Sequence, residues 1–452
     1  MISKGKWAGS LVERLYGFQG IATNIEPSLL PDNLLPAATN ISFNDSKITT
    51  VKGTQQIGSS LPAAIQMMFM WKKDDGTKVL FAQSGNTLYK YSSGWESVKT
   101  FNSSAPVSMV GGLFNYVYIM SQDGFFKYDG ATITQINSAP KANYLLLWQT
   151  YLFTGGDLKE SDGTGSKFRV RWSPIADASL NDWYSGDAIN NYIDFRTSEN
   201  STIQGLGVWN RRIIVFTGDS IEEIAGSSPS NFIVNTIYKG HLTTVQNSVA
   251  YYDNVYYLSK DGLCIMARDA IMIGDIYKKY WNRNASSFSL AEWKGKLYGN
   301  SGSEILMYDT MNKYFEHYSV QGTNKIYSDD ENLYIGTTDG KVLKWGEGSD
   351  ILGWTFTTKE SIFSSFNLYK RSMGLDLITD KSITSSVVTV RAIYDDGTIE
   401  DVGTFDPSLK DRIHFALKKG LFKSVQIQLS GTGDFSLIGM EITAKVKQKG
   451  GV

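Results

Sequence analysis

Apolar and aromatic residues recur along this chain in short alternating runs, each broken by a turn and answered by a second run. The pattern appears as KVLFAQSGNTLYKY (Lys78 to Tyr91) and YVYIMSQDGFFKYDG (Tyr116 to Gly130). It returns as RIIVFTGDSIEEI (Arg212 to Ile224), NVYYLSKDGLCIM (Asn254 to Met266), KLYGNSGSEILMYD (Lys296 to Asp309) and NLYIGTTDGKVLKW (Asn332 to Trp345). A period of two places alternate side chains on opposite faces of a strand, and no useful stretch carries the 3.6-residue period of a helix. Asp123-Gly124, Asp261-Gly262 and Asp339-Gly340 read as two-residue hairpin turns, because Asp and Gly tolerate positive φ.

The turns return roughly every 40 residues, the period of a four-stranded propeller blade. Each unit is preceded by its own strand, often with an aromatic: MMFMWK, VSMVGGLF, YLLLWQ, IQGLGVW, SVAYYD and FSLAEWKG. These strands are expected to line a channel. The competing arrangement is a set of independent hairpins in a sandwich, which rarely keeps so regular a period. The chain therefore predicts an all-β fold: a β-propeller of about six or seven blades followed by a C-terminal β-sandwich-like domain.

Three regions break the period. Residues 1–58 read as an extended arm with Leu34, Ile41 and Ile48 in short strands; it either completes the last blade or lies across it. The propeller is expected over 59–365, interrupted at about 155–201 by a polar, Asp-rich insertion containing FRVRWSPIADASLNDWYSG. From 366 to 452 come longer alternating strands, SSVVTVRAIYDD, SVQIQLSG and FSLIGMEITAKV, with another turn at Asp396-Gly397.

Composition agrees with a globular β protein: of 452 residues, 42% are hydrophobic, 20% charged and 13% aromatic. The formal net charge of −1 argues against a dedicated nucleic-acid binder, whose affinity comes chiefly from neutralising phosphates. Cys264 is the single cysteine, so no intrachain disulfide can form; its apolar setting predicts a buried, inert thiol. MISKGKWAGSLVERLYG lacks the apolar core of a secretory signal, and no run approaches a bilayer-spanning length. The expectation is a chain that is made in a cytosol, stays soluble there and has no membrane span.

No catalytic signature emerges. His241, His317 and His414 fall in unrelated units without a second ligand at metal spacing, so no metal or cofactor is expected. Glu222-Glu223, Asp329-Asp330 and Asp395-Asp396 sit in or beside turns and read as turn-shaping residues. Ser161-Asp162-Gly163-Thr164 resembles a sialidase Asp-box only in part, lacking its spacing and Trp. The chain is read as a non-enzyme.

The insertion offers the sharpest candidates. Arg169 and Arg171 share one face of a strand, with Trp172 adjacent and Trp183 and Tyr184 beyond. Arginine with aromatics is the composition of interface hot spots and of base- or sugar-stacking surfaces. These five residues are the candidate partner contacts. The alternative is structural, an Arg pair holding the loop through Asp177 or Asp182.

Three stretches resemble the tail-nozzle, or packaged-DNA stabilisation, proteins of short-tailed bacteriophages. They are the arm LLPDNLLPAATNISFNDSKITTVKGT, the block from FRVRWSPIADASLNDW to IQGLGVWNRRIIVFTGDSIEEI, and the terminal strands ending in SLIGMEITAKV. The resemblance implies a homohexameric ring in a virion tail, assembled in the bacterial host cytoplasm. One face would dock the portal or its head-to-tail adaptor, and the other a tail fibre, spike or needle. Double-stranded DNA would pass non-specifically along the ring's axis, retained while packaged and conducted during ejection. Two rival readings are a propeller that binds or cleaves glycans, suggested by the Trp, Tyr and carboxylate supply, and a host scaffold propeller. The second would carry Trp-Asp or kelch signatures, which are missing.

Overall fold

The first hairpins follow directly from their turns. Phe114-Asn115 and Asn210-Arg211 hold positive φ at both positions, and Lys294-Gly295 does the same. Such two-residue turns carry the twist of the strands they join. They connect Ser108–Leu113 to Tyr116–Ser121, Ile203–Trp209 to Arg212–Thr217, and Ser289–Trp293 to Lys296–Ser301.

The computed structural model describes residues 7–174, 183–184, 190–196, 198, 201–240, 248–259, 262–266, 271–272, 289–363, 367–380 and 386–447. Among them the chain is nearly all strand, with no α-helix. Two compact units emerge: Gln56–Ile305 with Val320–Lys344, and Met1–Gln55 with Leu306–Ser319 and Trp345–Val452.

Seven four-stranded antiparallel sheets follow one another in sequence among the described residues. The first is a plain meander of Ile65–Lys72, Lys78–Ser84, Thr87–Tyr91 and Trp95–Thr100. Its two middle strands bury Leu80, Phe81, Ala82 and Leu88, the first of them on both faces. The first strands of successive sheets stand side by side. Ile65–Lys72 neighbours Ser108–Leu113, then Tyr144–Trp148, then Ile203–Trp209. Val249–Tyr251 neighbours Ser289–Trp293, then Thr323–Ser328, which returns to Ile65–Lys72. The Tyr251 ring against Gly207 joins the two runs. This closed ring of first strands is the arrangement of a β-propeller.

Wedges of aromatic and aliphatic side chains fill the space between adjacent sheets. Between the first two, Trp71, Phe81 and Tyr128 meet with ring centroids 5.9–6.5 Å apart. Trp148, Phe153, Trp172 and Phe232 make the same contact between the third and fourth. Each such ring pair contributes about 1 kcal/mol beyond its buried area. Cys264 is buried among Phe216, Ile221 and Tyr257, as its apolar surroundings predict.

The smaller unit has two sheets. One runs Ile41–Asn44, Lys47–Thr50, Ser436–Lys447, Lys370–Thr379 and Arg412–Phe415, with Trp7–Tyr16 also paired to Ser436–Lys447. The other runs Ala37–Thr39, Trp354–Thr357, Val425–Gly431, Val388–Tyr394 and Ile399–Phe405. Alternate residues are buried in both: Leu375, Leu377, Met440 and Ile442 in the first, Val388, Val390, Ile427 and Leu429 in the second. Phe405 meets Phe415 across the two sheets at 6.0 Å, and Trp354 stacks on Phe435 at 4.7 Å.

The segmentation differs from the one drawn on the sequence. The stretch expected as an arm over 1–58 supplies four strands of the smaller unit, and the same unit takes up the chain from Trp345, ahead of the boundary at 366. Pairings with Val425–Gly431 and Ser436–Lys447 decide this, and partners so distant leave no local pattern. The N-terminal side does supply the fourth strand of the seventh sheet. Ile57 and Leu61 donate their N–H groups to the Val342 and Gly340 carbonyls, each at 2.8 Å.

The Asp-Gly turns also differ in detail. At Asp339-Gly340 and Asp396-Gly397 the loop has three residues, and Gly340 (φ 81°) or Gly397 (φ 77°) closes it in the left-handed region. At Asp123-Gly124 the loop is Gln122-Asp123, and Gly124 already pairs with Ser121. Asp261 lies outside the described residues.

Candidate functional site

The strand Arg169–Trp172 is the third of its sheet, between Tyr151–Gly155 and Tyr192–Asp194. Its pleat sends Val170 and Trp172 into the core and turns Arg169 and Arg171 to the other face. A short hairpin, Leu158–Lys159 with Gly165–Ser166, brings Glu160 over that face. Its tip is Ser161-Asp162-Gly163-Thr164, where Asp162 accepts the Thr164 N–H at 2.9 Å and hydroxyl at 2.7 Å. The partial Asp-box likeness therefore falls on a tight turn, and the turn's hydrogen bonds hold the Asp162 carboxyl below its usual range.

Glu160 is the hub. It accepts Arg169 Nη1 at 3.1 Å, lies 3.0 Å from Arg171 Nε, and takes the Tyr184 hydroxyl at 2.7 Å. Asp194 accepts Arg169 through two bonds, 2.7 and 2.8 Å long. Arg169 also lies 3.7 Å over the Tyr192 ring. Burial first, and then the neighbouring Glu160 carboxylate, pushes the Tyr184 phenol up, so it stays a donor. Asp194 and Glu160 hold Arg169 firmly protonated.

Among the described residues two guanidiniums face two carboxylates. Arg171 is 3% exposed, Trp172 5% and Trp183 0%. Trp183 packs edge-on against Phe125 at 5.7 Å, in the wedge between the second and third sheets. The structure thus brings four of the five candidate residues, Arg169, Arg171, Trp183 and Tyr184, to one side of the sheet beside Glu160, while Trp172 packs in the core on the opposite face. Among the described residues the anchors are Glu160 and Asp194; Asp177 and Asp182 lie outside them.

The remaining chemical candidates have structural partners. His317 is buried, with Nδ1 3.2 Å from both Thr39 Oγ1 and the Ala38 carbonyl. His414 is exposed with Nδ1 3.2 Å from Asp376, and His241 lies outside the described residues. Glu223 takes Arg212 through both oxygens at 2.8 Å, and Asp329 accepts the N–H groups of Glu331 and Asn332. Asp396 accepts Lys419 at 2.6 Å, and this bond with that from Thr398 holds its carboxyl far below the usual range. Among the described residues no three His, Cys, Asp or Glu side chains are grouped to hold a metal ion.

A different feature stands out in the smaller unit. The ten-residue strand Trp7–Tyr16 pairs along one side with Ser436–Lys447, and no other strand pairs with it among the described residues. Its second half is secured. Glu13 accepts the Phe363 N–H at 3.2 Å and lies 3.6 Å from Lys359, while Arg14 reaches Glu441 at 2.9 Å. Ahead of that, Gly9 to Val12 are exposed, Leu11 at 39% and Val12 at 48%. Ser10 and Val12 share a face, and the Ser10 hydroxyl lies 3.3 Å from the sulfur of Met373, itself exposed on the next strand but one. An open, apolar edge is a template for a further strand, and soluble chains usually blunt such edges with charge or proline. On the sequence this stretch reads only as lacking a signal peptide's apolar core. Adjacent Leu11-Val12 and Glu13-Arg14 break the alternation that marks the other strands.

No family model matches the chain, and no curated protein matches it. Solved structures similar to it include the extracellular domain of BT4673, a one-component system of B. thetaiotaomicron, at 15% identity and a TM-score of 0.45, with 65% of this chain and 40% of that chain covered. PorZ, a surface component of the type-IX secretion system of Porphyromonas gingivalis, is similar at 11% identity and a TM-score of 0.41, covering 78% of this chain and 46% of that one. The N-terminal domain of Nup159 is similar at 12% identity and a TM-score of 0.39, with 69% and 97% covered.

Proposed function

We propose that this chain is a structural subunit of a short-tailed phage tail: a seven-bladed propeller joined to a terminal β-sandwich, assembling with copies of itself into a ring beneath the portal and its adaptor. The observation that carries the reading is the edge at residues 10–12 in the strand Trp7–Tyr16, left without a second strand among the described residues, with Leu11, Val12 and Met373 exposed beside it. An edge of this kind is stable in solution when a neighbour covers it, and a ring supplies that neighbour to every subunit. The sequence resemblance in the arm, the insertion and the terminal strands gives the reading its phage context.

Two further features support it. The candidate Arg and Trp residues are spent internally. The space inside the ring of first strands is broken into cavities, the larger about 600 Å³ and lined by side chains such as Tyr144, Tyr251 and Tyr327. Duplex DNA therefore passes between subunits, and a net charge of −1 lets it slide without being gripped.

The test is negative-stain imaging of the purified chain mixed with adaptor-capped portal rings. A six-fold collar on the portal is the expected result. Portals that remain bare at saturating chain would overturn the proposal.

A further inference from the structure

The ring of first strands has a charge inside it that the assembly reading leaves unused. Lys325 lies on Thr323–Ser328, and its side chain lines two cavities, about 290 and 600 Å³ in volume. It is 8% exposed. Tyr327, two residues on, lines the same cavities, as do Met67, Met68 and Tyr251. Shared walls make the two spaces neighbours.

No hydrogen bond or ion pair to the Lys325 ammonium occurs among the described residues. The two carboxylates that line the smaller cavity are engaged elsewhere: Glu292 accepts the Gly295 N–H at 2.7 Å, and Asp330 takes Lys72 at 3.3 Å. Burial alone pushes the Lys325 pKa below the usual lysine range. The stem of Lys325 is buried while its ammonium reaches the cavities, where an anion would offset the cost of holding a charge against an apolar wall. Tyr327 accepts the Met70 N–H at 2.8 Å, which leaves its own proton to donate. The walls of the larger cavity are mostly apolar, including Phe69, Met109, Leu145 and Leu206. Its volume falls within the range of small-molecule sites.

We infer that the interior of the ring binds a small amphiphilic monoanion, a carboxylate on an apolar body, with Lys325 as its counter-charge and Tyr327 as a hydroxyl donor. One cation against an apolar wall suits a single negative charge and a hydrocarbon or aromatic body, and disfavours a multiply charged phosphate. This site is independent of the assembly reading: it lies within one subunit, and either can fail alone.

The test compares octanoate with octanol by titration calorimetry on the intact chain. The acid is expected to bind at one site per chain, at least about tenfold tighter than the alcohol, as a charge-assisted contact inside an apolar site provides. Lys325→Met and Lys325→Gln, checked for folding by circular dichroism, are expected to erase that preference while octanol binding stays within about twofold. Should both variants fail to fold, a wild-type pH series decides. Tyr144, Tyr251, Tyr327, Glu292 and Asp330 also face the cavities. Burial raises the pKa of each of these tyrosines, so they stay neutral over the range in which Lys325 loses its charge. The preference for the acid should then vanish by about pH 11. An absent preference in the wild type, one that survives in a folded Lys325 variant, or one that persists unchanged to about pH 11 would overturn the inference.

Discussion

The Arg169 guanidinium forks onto Asp194, with Nε 2.7 Å from Oδ1 and Nη2 2.8 Å from Oδ2. The two residues are directly opposite each other on neighbouring strands, so the pair also fixes their register. Its third nitrogen, Nη1, donates to Glu160, which shares itself with Arg171 and Tyr184. The insertion is therefore tied down by charge from within.

Removing the hub charge should expose that dependence. Glu160→Gln removes the carboxylate that the buried Arg171 and the half-buried Arg169 share, and should lower stability by about 3 kcal/mol, the usual cost of breaking a buried pair from one side. Urea denaturation followed by tryptophan fluorescence would register a lower midpoint. An unchanged midpoint would mean that the arginines are held by solvent or a partner and not by Glu160.

Ring closure makes a second prediction. Gly340 sits at φ 81°, and a Cβ there would collide with the Leu61 carbonyl, on the segment whose N–H bonds back to Gly340. Gly340→Ala should destabilise the larger unit by about 1–3 kcal/mol through strain and overpacking. Gly397→Ala, at a similar φ but in open space, should cost only the φ penalty of about 1 kcal/mol. Equal losses in the two melts would refute the collision.

A third prediction concerns pH. Lys370 is wholly buried and donates to the Lys423 carbonyl at 2.6 Å. Burial pushes its pKa down to about 8, against the pull of Asp395, Glu13 and Glu360. The unfolded chain keeps an ordinary lysine near 10.4, so between about pH 8 and 10 the unfolded state binds more protons than the native one. Stability should therefore rise across that window, by on the order of 2–3 kcal/mol for this group. Lys370→Met should be more stable than wild type at pH 7 and should lose the rise. A wild-type curve that falls from pH 8 to 10 while the variant stays flat would contradict this.

The parts of the fold that were legible in the sequence are those set by local chemistry. Strand–turn–strand alternation around Lys78 to Tyr91 and Tyr116 to Gly130 predicts meander sheets, and these occur. What escaped reading depends on partners far along the chain. Trp354–Thr357 continues the aromatic rhythm of the repeat, yet pairs with Val425–Gly431 and with Ala37–Thr39. The composition of RVRW points equally to a hot spot or to an internal anchor. Only the placement of Glu160, delivered by a hairpin nine residues upstream, distinguishes them. Lys325 gave no signal at all, because a lone lysine in a polar strand looks solvated until a ring closes around it.

Assembly through the exposed edge at Leu11 and Val12 is tested by native mass spectrometry of the wild type and Val12→Lys. Val12 is 48% exposed and lies on an open strand, so the charge should leave the melting curve nearly unchanged, within about 0.5 kcal/mol. The account predicts a hexamer-sized species for the wild type and a monomer for the variant. A wild-type chain that stays monomeric at tens of micromolar, or a variant that assembles as the wild type does, would contradict it.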